Sequence, residues 1–321
     1  MYRVFIQTSD GTKWEMPYSG LSFTEELNVD RSAQVSFDVS VCQAVADGYN
    51  TTLLNIFSGG YRELYVYKDT TIVYSGYVAE PSFYRSQNDA GSIAIASKGF
   101  FSLLEKRYTD ALRTYSGEDA SDIMMDLIDY TQGLTYGDFG ITQGSLETSV
   151  NRDRTFRYKN IKEAIEKLSN LHVDNSVDFD IDVNKQLNTY YPEKGETFEN
   201  IIFEEGFNIL SYQIIKKFID AMSNQVLVFG QGSGDDQLVE VRDADDTYKS
   251  SFFLLQDTLS EIDVITAATL QAKGDRYLTK NKYPQLSINV TTLDTKPDIT
   301  SYVIGDRCRV KIPSWGINQL L

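Results

Sequence analysis

The sequence predicts a β-rich α+β protein, and three observations carry that prediction. Short stretches in which apolar and polar residues strictly alternate recur through the first hundred residues and again after Val177. Among them lie stretches whose apolar residues recur every three or four positions, the spacing of one helix face. No internal repeat, low-complexity tract or long Pro/Gly linker separates the two kinds, so the domains are expected to be interleaved or closely packed.

The opening residues 1–10 read as a strand, and Asp10-Gly11 as the turn into a second strand over 13–16. Over 33–41, Val35, Phe37, Val39 and Val41 point one way and Gln34, Ser36, Asp38 and Ser40 the other, the pattern of a strand with one wet face. Residues 63–67 and 72–78 flank Lys68-Asp69-Thr70-Thr71 as a second hairpin, and 82–87 and 92–97 flank residues 88–91 as a third. Strands this short and regularly punctuated predict a small barrel or sandwich.

The period then changes. Ser116 with Asp119 three positions on predicts a helix start, followed by the stripe Ala120, Ile123, Met124, Leu127 and Ile128. Asn160 opens a second helix with the stripe Ile161, Ala164, Ile165 and Leu168, and Glu163 and Lys167 are spaced as an i,i+4 pair. Both are expected to cover a sheet, with Met124 and Met125 as core filling. Strands return at 177–183, 208–216, 225–230 and 238–241. A third helix is expected from Ser260-Glu261-Ile262-Asp263 towards Ala272, then closing strands at 286–292 and 307–312. The apolar end, 315–321, suggests a partner strand supplied from outside or a chain cut short.

The length of 321 residues (36.4 kDa) suits about two domains, or one with insertions, and a sizeable core. Lys plus Arg number 30 against 46 Asp plus Glu, a net charge of −16. That balance argues against broad binding to nucleic-acid phosphates or anionic membrane. Between Asp174 and Asp257 there are 17 acids and 6 bases, so most of the surplus sits there. No apolar run approaches the roughly 18 residues of a spanning helix, and the start lacks the apolar stretch of a signal peptide. A cytoplasmic chain is expected.

Cys42 and Cys308 are the only thiols and His172 the only imidazole, which leaves no zinc site of the usual kind from one chain. No G-x-S-x-G is present, and neither an enzyme nor a cofactor is expected. Asp178, Asp180 and Asp182 invite a calcium reading, but Val183 and Thr189 stand where a calcium loop needs Gly and Glu. Their alternation with hydrophobes puts them on one solvated strand face. Gly230-Gln231-Gly232-Ser233-Gly234-Asp235-Asp236 lacks the Lys-Ser or Lys-Thr of a phosphate loop and reads as a flexible hairpin connection. The 46 acids allow a glycosidase-like pair almost anywhere, which carries no information. The 21 tyrosines suit half-buried strands before they suit a sugar groove. His172, at the end of the second helix, reads as capping or partly buried. Arg307, Arg309 and Lys311 alternate with Cys308, Val310 and Ile312, a basic row over a core face that in an assembly could pair with an acidic neighbour.

Three stretches together resemble the baseplate hub or tail-tip proteins of tailed bacteriophages, including the N-terminal hub module of tail-associated lysins. The first is Ile72-Val73-Tyr74-Ser75-Gly76-Tyr77-Val78, a strand pair, then Ala96-Ser97-Lys98-Gly99-Phe100-Phe101-Ser102-Leu103-Leu104-Glu105-Lys106-Arg107. The second is Asn208-Ile209-Leu210-Ser211-Tyr212 followed by residues 224–232, and the third is Tyr302-Val303-Ile304-Gly305-Asp306-Arg307-Cys308-Arg309-Val310. Nothing resembles an attached peptidase or lysozyme-like domain.

The resemblance implies two small β-barrels with α/β insertions: an N-terminal barrel over 1–108, an α/β insertion over 109–206, and a second barrel with a helix-containing insertion over 207–321. It implies a structural virion protein at the tail tip, assembled in the host cytoplasm. Such a protein is a homotrimer that closes the tail tube, adapts sixfold to threefold symmetry and lines the DNA channel. The implied partners are the distal tail protein ring, the tape measure protein and tail fibre or tip proteins. DNA passes without specific binding, and membrane contact comes only through other components. The acidic surplus then supplies a candidate channel-facing surface: Asp178, Asp180, Asp182, Asp235, Asp236, Asp243, Asp245 and Asp246. The alternative is a tail protein that binds or cleaves host-surface carbohydrate.

Overall fold

The computed structural model describes residues 1–87, 91–169, 176–217, 221–244, 246–261, 264–294 and 296–321. His172, Asp245, residues 88–90 of the third expected hairpin, and Ile262 and Asp263 of the expected capping box lie outside the described residues. The chain divides into two compact units, Met1–Thr197 with Ile299–Arg307, and Phe198–Asp298 with Cys308–Leu321.

The first unit opens with β1 (Tyr2–Thr8), β2 (Lys13–Glu15), β3 (Gly20–Thr24), β4 (Ser32–Asp38), α1 (Val39–Gly48), α2 (Leu53–Ser58), β5 (Arg62–Lys68), β6 (Thr71–Tyr84) and β7 (Ser92–Lys98). The strands form one antiparallel sheet in the order β2-β1-β5-β6-β7-β4-β3. Period-two alternation puts Val4, Ile6, Val35, Phe37, Leu64, Val66, Ile93 and Ile95 in one core. Cys42 and Ala46 of α1 and Ile56 and Phe57 of α2 join it.

That cover corrects the expected N-terminal barrel. A barrel closes only when its outermost strands bond to each other; here β2 and β3 are the two free edges of an open sheet. Helices bury the apolar face instead. The strand expected over 33–41 stops at Asp38, and Val39 begins α1. Val41 is accordingly 48% exposed, while Cys42 and Ala46, four apart, face inward. The strand expected over 82–87 is the far half of β6, which pairs with β5 along its first half and with β7 along its second.

A second core in the same unit follows a short 3-10 helix, Phe100–Lys106. It comprises β8 (Arg113–Asp119), α3 (Ala120–Gln132), β9 (Thr142–Leu146), β10 (Asn151–Phe156), α4 (Ile161–Ser169), β11 (Asp178–Ile181) and β12 (Gln186–Tyr190). Both helical stripes are buried together with Phe179, Ile181 and Leu187 of the sheet β11-β12-β9, so the helices do cover a sheet, and Met124 and Met125 are core filling. Residues 116–119 belong to β8, and the α3 cap is Asp119, whose carboxylate accepts from Ser121 N at 2.9 Å. Asn160 caps α4, accepting from Glu163 N at 3.2 Å. Glu163 pairs backwards with Lys159 rather than with Lys167.

The remaining elements are β13 (Thr197–Glu204), β14 (Ile209–Lys217), β15 (Gln225–Phe229), β16 (Val239–Asp243), α5 (Asp246–Phe252), β17 (Gln256–Ser260), α6 (Ala267–Asn281), β18 (Gln285–Thr292), β19 (Arg307–Ile312) and β20 (Ile317–Leu320). They make three separate sheets, β13-β19-β20, β14-β18 and β16-β15-β17. None closes on itself, so the second expected barrel is also corrected: short strands are shared among small sheets, and Leu270 and Leu278 of α6 bury Val226 and Val228 of β15. The third helix starts later than expected, capped by Thr266, because Ser260 ends β17. Residues 317–320 find their strand partner in β19 of the same chain.

Candidate functional site

The aspartates of β11 and its turn are not a solvated face. Asp178 is buried, accepting from Asn28 Nδ2 at 2.7 Å and from Lys194 N at 2.8 Å. Asp180 is ion-paired to Lys194 and accepts from Asn188 Nδ2 at 3.1 Å. Asp182 closes the β11–β12 turn, accepting from Asn184 N at 2.8 Å and Gln186 N at 2.9 Å. Period two placed the side chains correctly, but segments distant in sequence bring Asn28 and Lys194 onto them. Burial, then the Asp180 and Asp182 charges, push the neighbouring Tyr190 hydroxyl well above its ordinary range.

The other acids of the expected surface are dispersed. Asp235 and Asp236 are exposed on a 3-10 turn, Gly234–Asp236, in the hairpin joining β15 to the antiparallel β16, so the glycine-rich stretch is a hairpin connection. Asp243, exposed at the end of β16, pairs with Lys249 and accepts from Gln225 Nε2 at 2.7 Å. Lys249 first, then Gln225, hold its carboxyl below the usual range. Asp246 opens α5.

The basic row of β19 behaves as its alternation predicts, with Cys308, Val310 and Ile312 buried. Its partners lie in the same chain: Arg307 meets Glu193 at 2.6 Å, Arg309 meets Glu199 at 3.5 Å and Lys311 meets Glu204 at 3.6 Å.

Sequence reasoning missed the buried polar ties of the first unit. Glu63, 4% exposed, accepts from Tyr65 Oη at 2.7 Å and is ion-paired to Lys185, 122 residues on. Asp30 accepts from the Ser102 backbone N–H at 2.7 Å and from its hydroxyl; burial pushes its carboxyl up despite those bonds. No local signal marks such pairs, since Glu63 sits in a strand, Asp30 and Lys185 in connections and Ser102 in a 3-10 helix, each ordinary in its own segment.

The described surface includes two open clefts of similar size. One, of about 510 Å³, is lined by Tyr77, Lys98, Leu103, Lys106, Arg107 and Phe139 among others. The other, of about 530 Å³, includes Ser223, Asp257, Tyr277 and Asn281. Each contains a single tyrosine, and that of the second is spent on Asp257. Among the described residues, no group of three or more His, Cys, Asp or Glu is placed to hold a metal ion, and no helix is long and apolar enough to cross a membrane.

No family model matches the chain, and no curated protein is similar to it in sequence. Solved structures are similar along nearly its whole length. The tail protein from Neisseria meningitidis MC58 superposes with a TM-score of 0.68 at 15% identity, covering 99% of this chain and 89% of that one. The 43 kDa tail protein of prophage MuSo2 from Shewanella oneidensis gives 0.66 at 11%, covering 99% and 90%. Prophage tail protein gp18 from Listeria monocytogenes EGD-e gives 0.61 at 12%, covering 99% and 87%. The fold is that of phage tail proteins. At these identities the likeness is one of fold, and it reaches tail proteins in general rather than hubs in particular.

Proposed function

We propose that the chain is a structural virion protein, a homotrimeric baseplate hub or tail-tip protein that closes the distal end of the tail tube and makes or breaks no covalent bond. The observation that supports this most is the fold match over 99% of the chain to three tail proteins, two of them of prophages. On this reading a closed ring of three copies is the end at which a sixfold tube meets a threefold tip. The partners on this reading are the distal tail protein ring, the tape measure protein and fibre or tip proteins, and the place of action is the virion tail tip after assembly in the host cytoplasm.

The charge supports a conduit. DNA in a passage must not adhere, and phosphate facing carboxylates gains none of the counterion release that drives binding. We place part of the acidic stretch 174–257 on that passage, with exposed Asp243 in it; Asp178 is buried within its unit and takes no part. Native mass measurement of the purified chain tests the reading. Three copies of 36.4 kDa are expected, and a monomer at every concentration would overturn it.

A further inference from the structure

The cleft at the end of the 3-10 helix Phe100–Lys106 is cationic in a chain of net charge −16. Lys98 and Lys106 are exposed, and among the described residues neither lies in an ion pair; the carboxylate beside them, Glu105, is held by Lys162 at 2.7 Å. Arg107 is fixed in place. Its guanidinium sits 4.5 Å from the Phe139 ring centroid and donates to the Gly137 carbonyl oxygen at 3.3 Å. One immobile cation and two ammonium groups outside any ion pair, both acting at longer range on Glu105, therefore share a cleft with apolar Leu103 and Phe139.

The hairpin between β15 and β16 is its complement. Asp235 and Asp236 are exposed and, among the described residues, have neither an ion-pair nor a side-chain hydrogen-bond partner. The turn is packed on itself: Gly232 has φ +109°, and a Cβ there would lie 2.5 Å from the Asp236 carbonyl oxygen. Leu238 N donates back to Gln231 O at 2.9 Å. Two carboxylates are thus presented in a fixed shape, with Val239, 41% exposed, beside them.

We propose that this hairpin of one copy seats in the cationic cleft of the next, Asp235 and Asp236 meeting Lys98, Lys106 and Arg107. A contact between two different patches of the same chain is heterologous, the kind that closes into a ring. The inference rests on the ring reading above and moves Asp235 and Asp236 from the passage to the seam between copies.

Sedimentation equilibrium of the full chain tests it, with K98E/K106E, D235K/D236K and the fourfold combination, each checked for native circular dichroism. Either double reversal is expected to weaken association about tenfold, as the loss of two exposed pairs allows, and the fourfold variant to recover it. Added salt is expected to weaken the wild-type assembly. A wild-type ring indifferent to both reversals overturns the contact and leaves the ring standing. A wild-type monomer overturns the ring and the contact with it. Duplex DNA bound by the wild type and lost in K98E/K106E makes the cleft a phosphate site and overturns the proposal.

Discussion

Gly195 and Gly305 meet backbone to backbone in the first unit: a Cβ on Gly195 would fall 2.1 Å from the Gly305 carbonyl oxygen, and one on Gly305 would fall 2.7 Å from that of Lys194. Both have positive φ, +105° and +98°. The approach lets Glu196 N reach Asp306 Oδ1 at 2.9 Å and Arg307 N reach Glu196 O at 2.8 Å, which ties residues 305–307 to the connection between β12 and β13. Gly195→Ala and Gly305→Ala are each expected to lose about 1–3 kcal/mol through backbone strain alone, with the clash added. Gly11→Ala, at φ +87° with nothing within 4 Å, is expected to lose less. Urea unfolding of the three variants checks the order.

Beside Gly195, the Lys194 ammonium neutralises Asp180 where both side chains are largely buried, 7% and 15% exposed. Removing one partner leaves a charge without compensation. Lys194→Met is therefore expected to destabilise by about 3–5 kcal/mol, and Lys194→Met with Asp180→Leu by clearly less. Equal losses in single and double variants would show that the pair does not act as one.

Glu205 accepts from Ser314 N at 3.0 Å, Ser314 Oγ at 2.7 Å and Tyr212 Oη at 2.8 Å, joining the segments after β13 and β19 to β14. The Ser314 bonds first, then Tyr212, hold its carboxyl below the ordinary range. A depressed folded value makes the contribution complete above the unfolded value of about 4.3, and lost as pH falls through the lower folded one. Glu205→Gln is expected to flatten the acid limb of stability against pH and leave its neutral side level. The pH dependence of unfolding free energy checks this.

Burial first, then the Asp38 carboxylate, push the Cys42 thiol up to about 11. Its sulfur is fully buried against the Pro17 carbonyl oxygen at 3.6 Å. The native protein at pH 8 is expected to take no maleimide at Cys42, and the unfolded chain to take it readily. Labelling counted by mass spectrometry checks both states.

What could be read beforehand was what is local. The alternation through Val35 and Phe37 and through Cys308, Val310 and Ile312 marked real strands, and the two helical stripes marked α3 and α4. Boundaries failed where two periods overlap. Val39 and Val41 continue the alternation of β4 for three residues while the backbone has already turned into α1, and Ser116 imitates a cap that Asp119 provides. Topology was not local. Whether a sheet closes depends on β2 and β3 meeting, and no residue of either strand records that they do not. The fate of Asp178 and Asp180 was hidden for the same reason, since Asn28 lies 150 residues away and Lys194 beyond the next strand.

The proposal that three copies close the distal tail is open to a symmetry-resolved image of tail tips from particles carrying this chain. This fold is expected three times around the tube axis at the distal end, with the stretch 174–257 contributing carboxylates to the passage. Absence of the fold from that end, or another number of copies there, would contradict it.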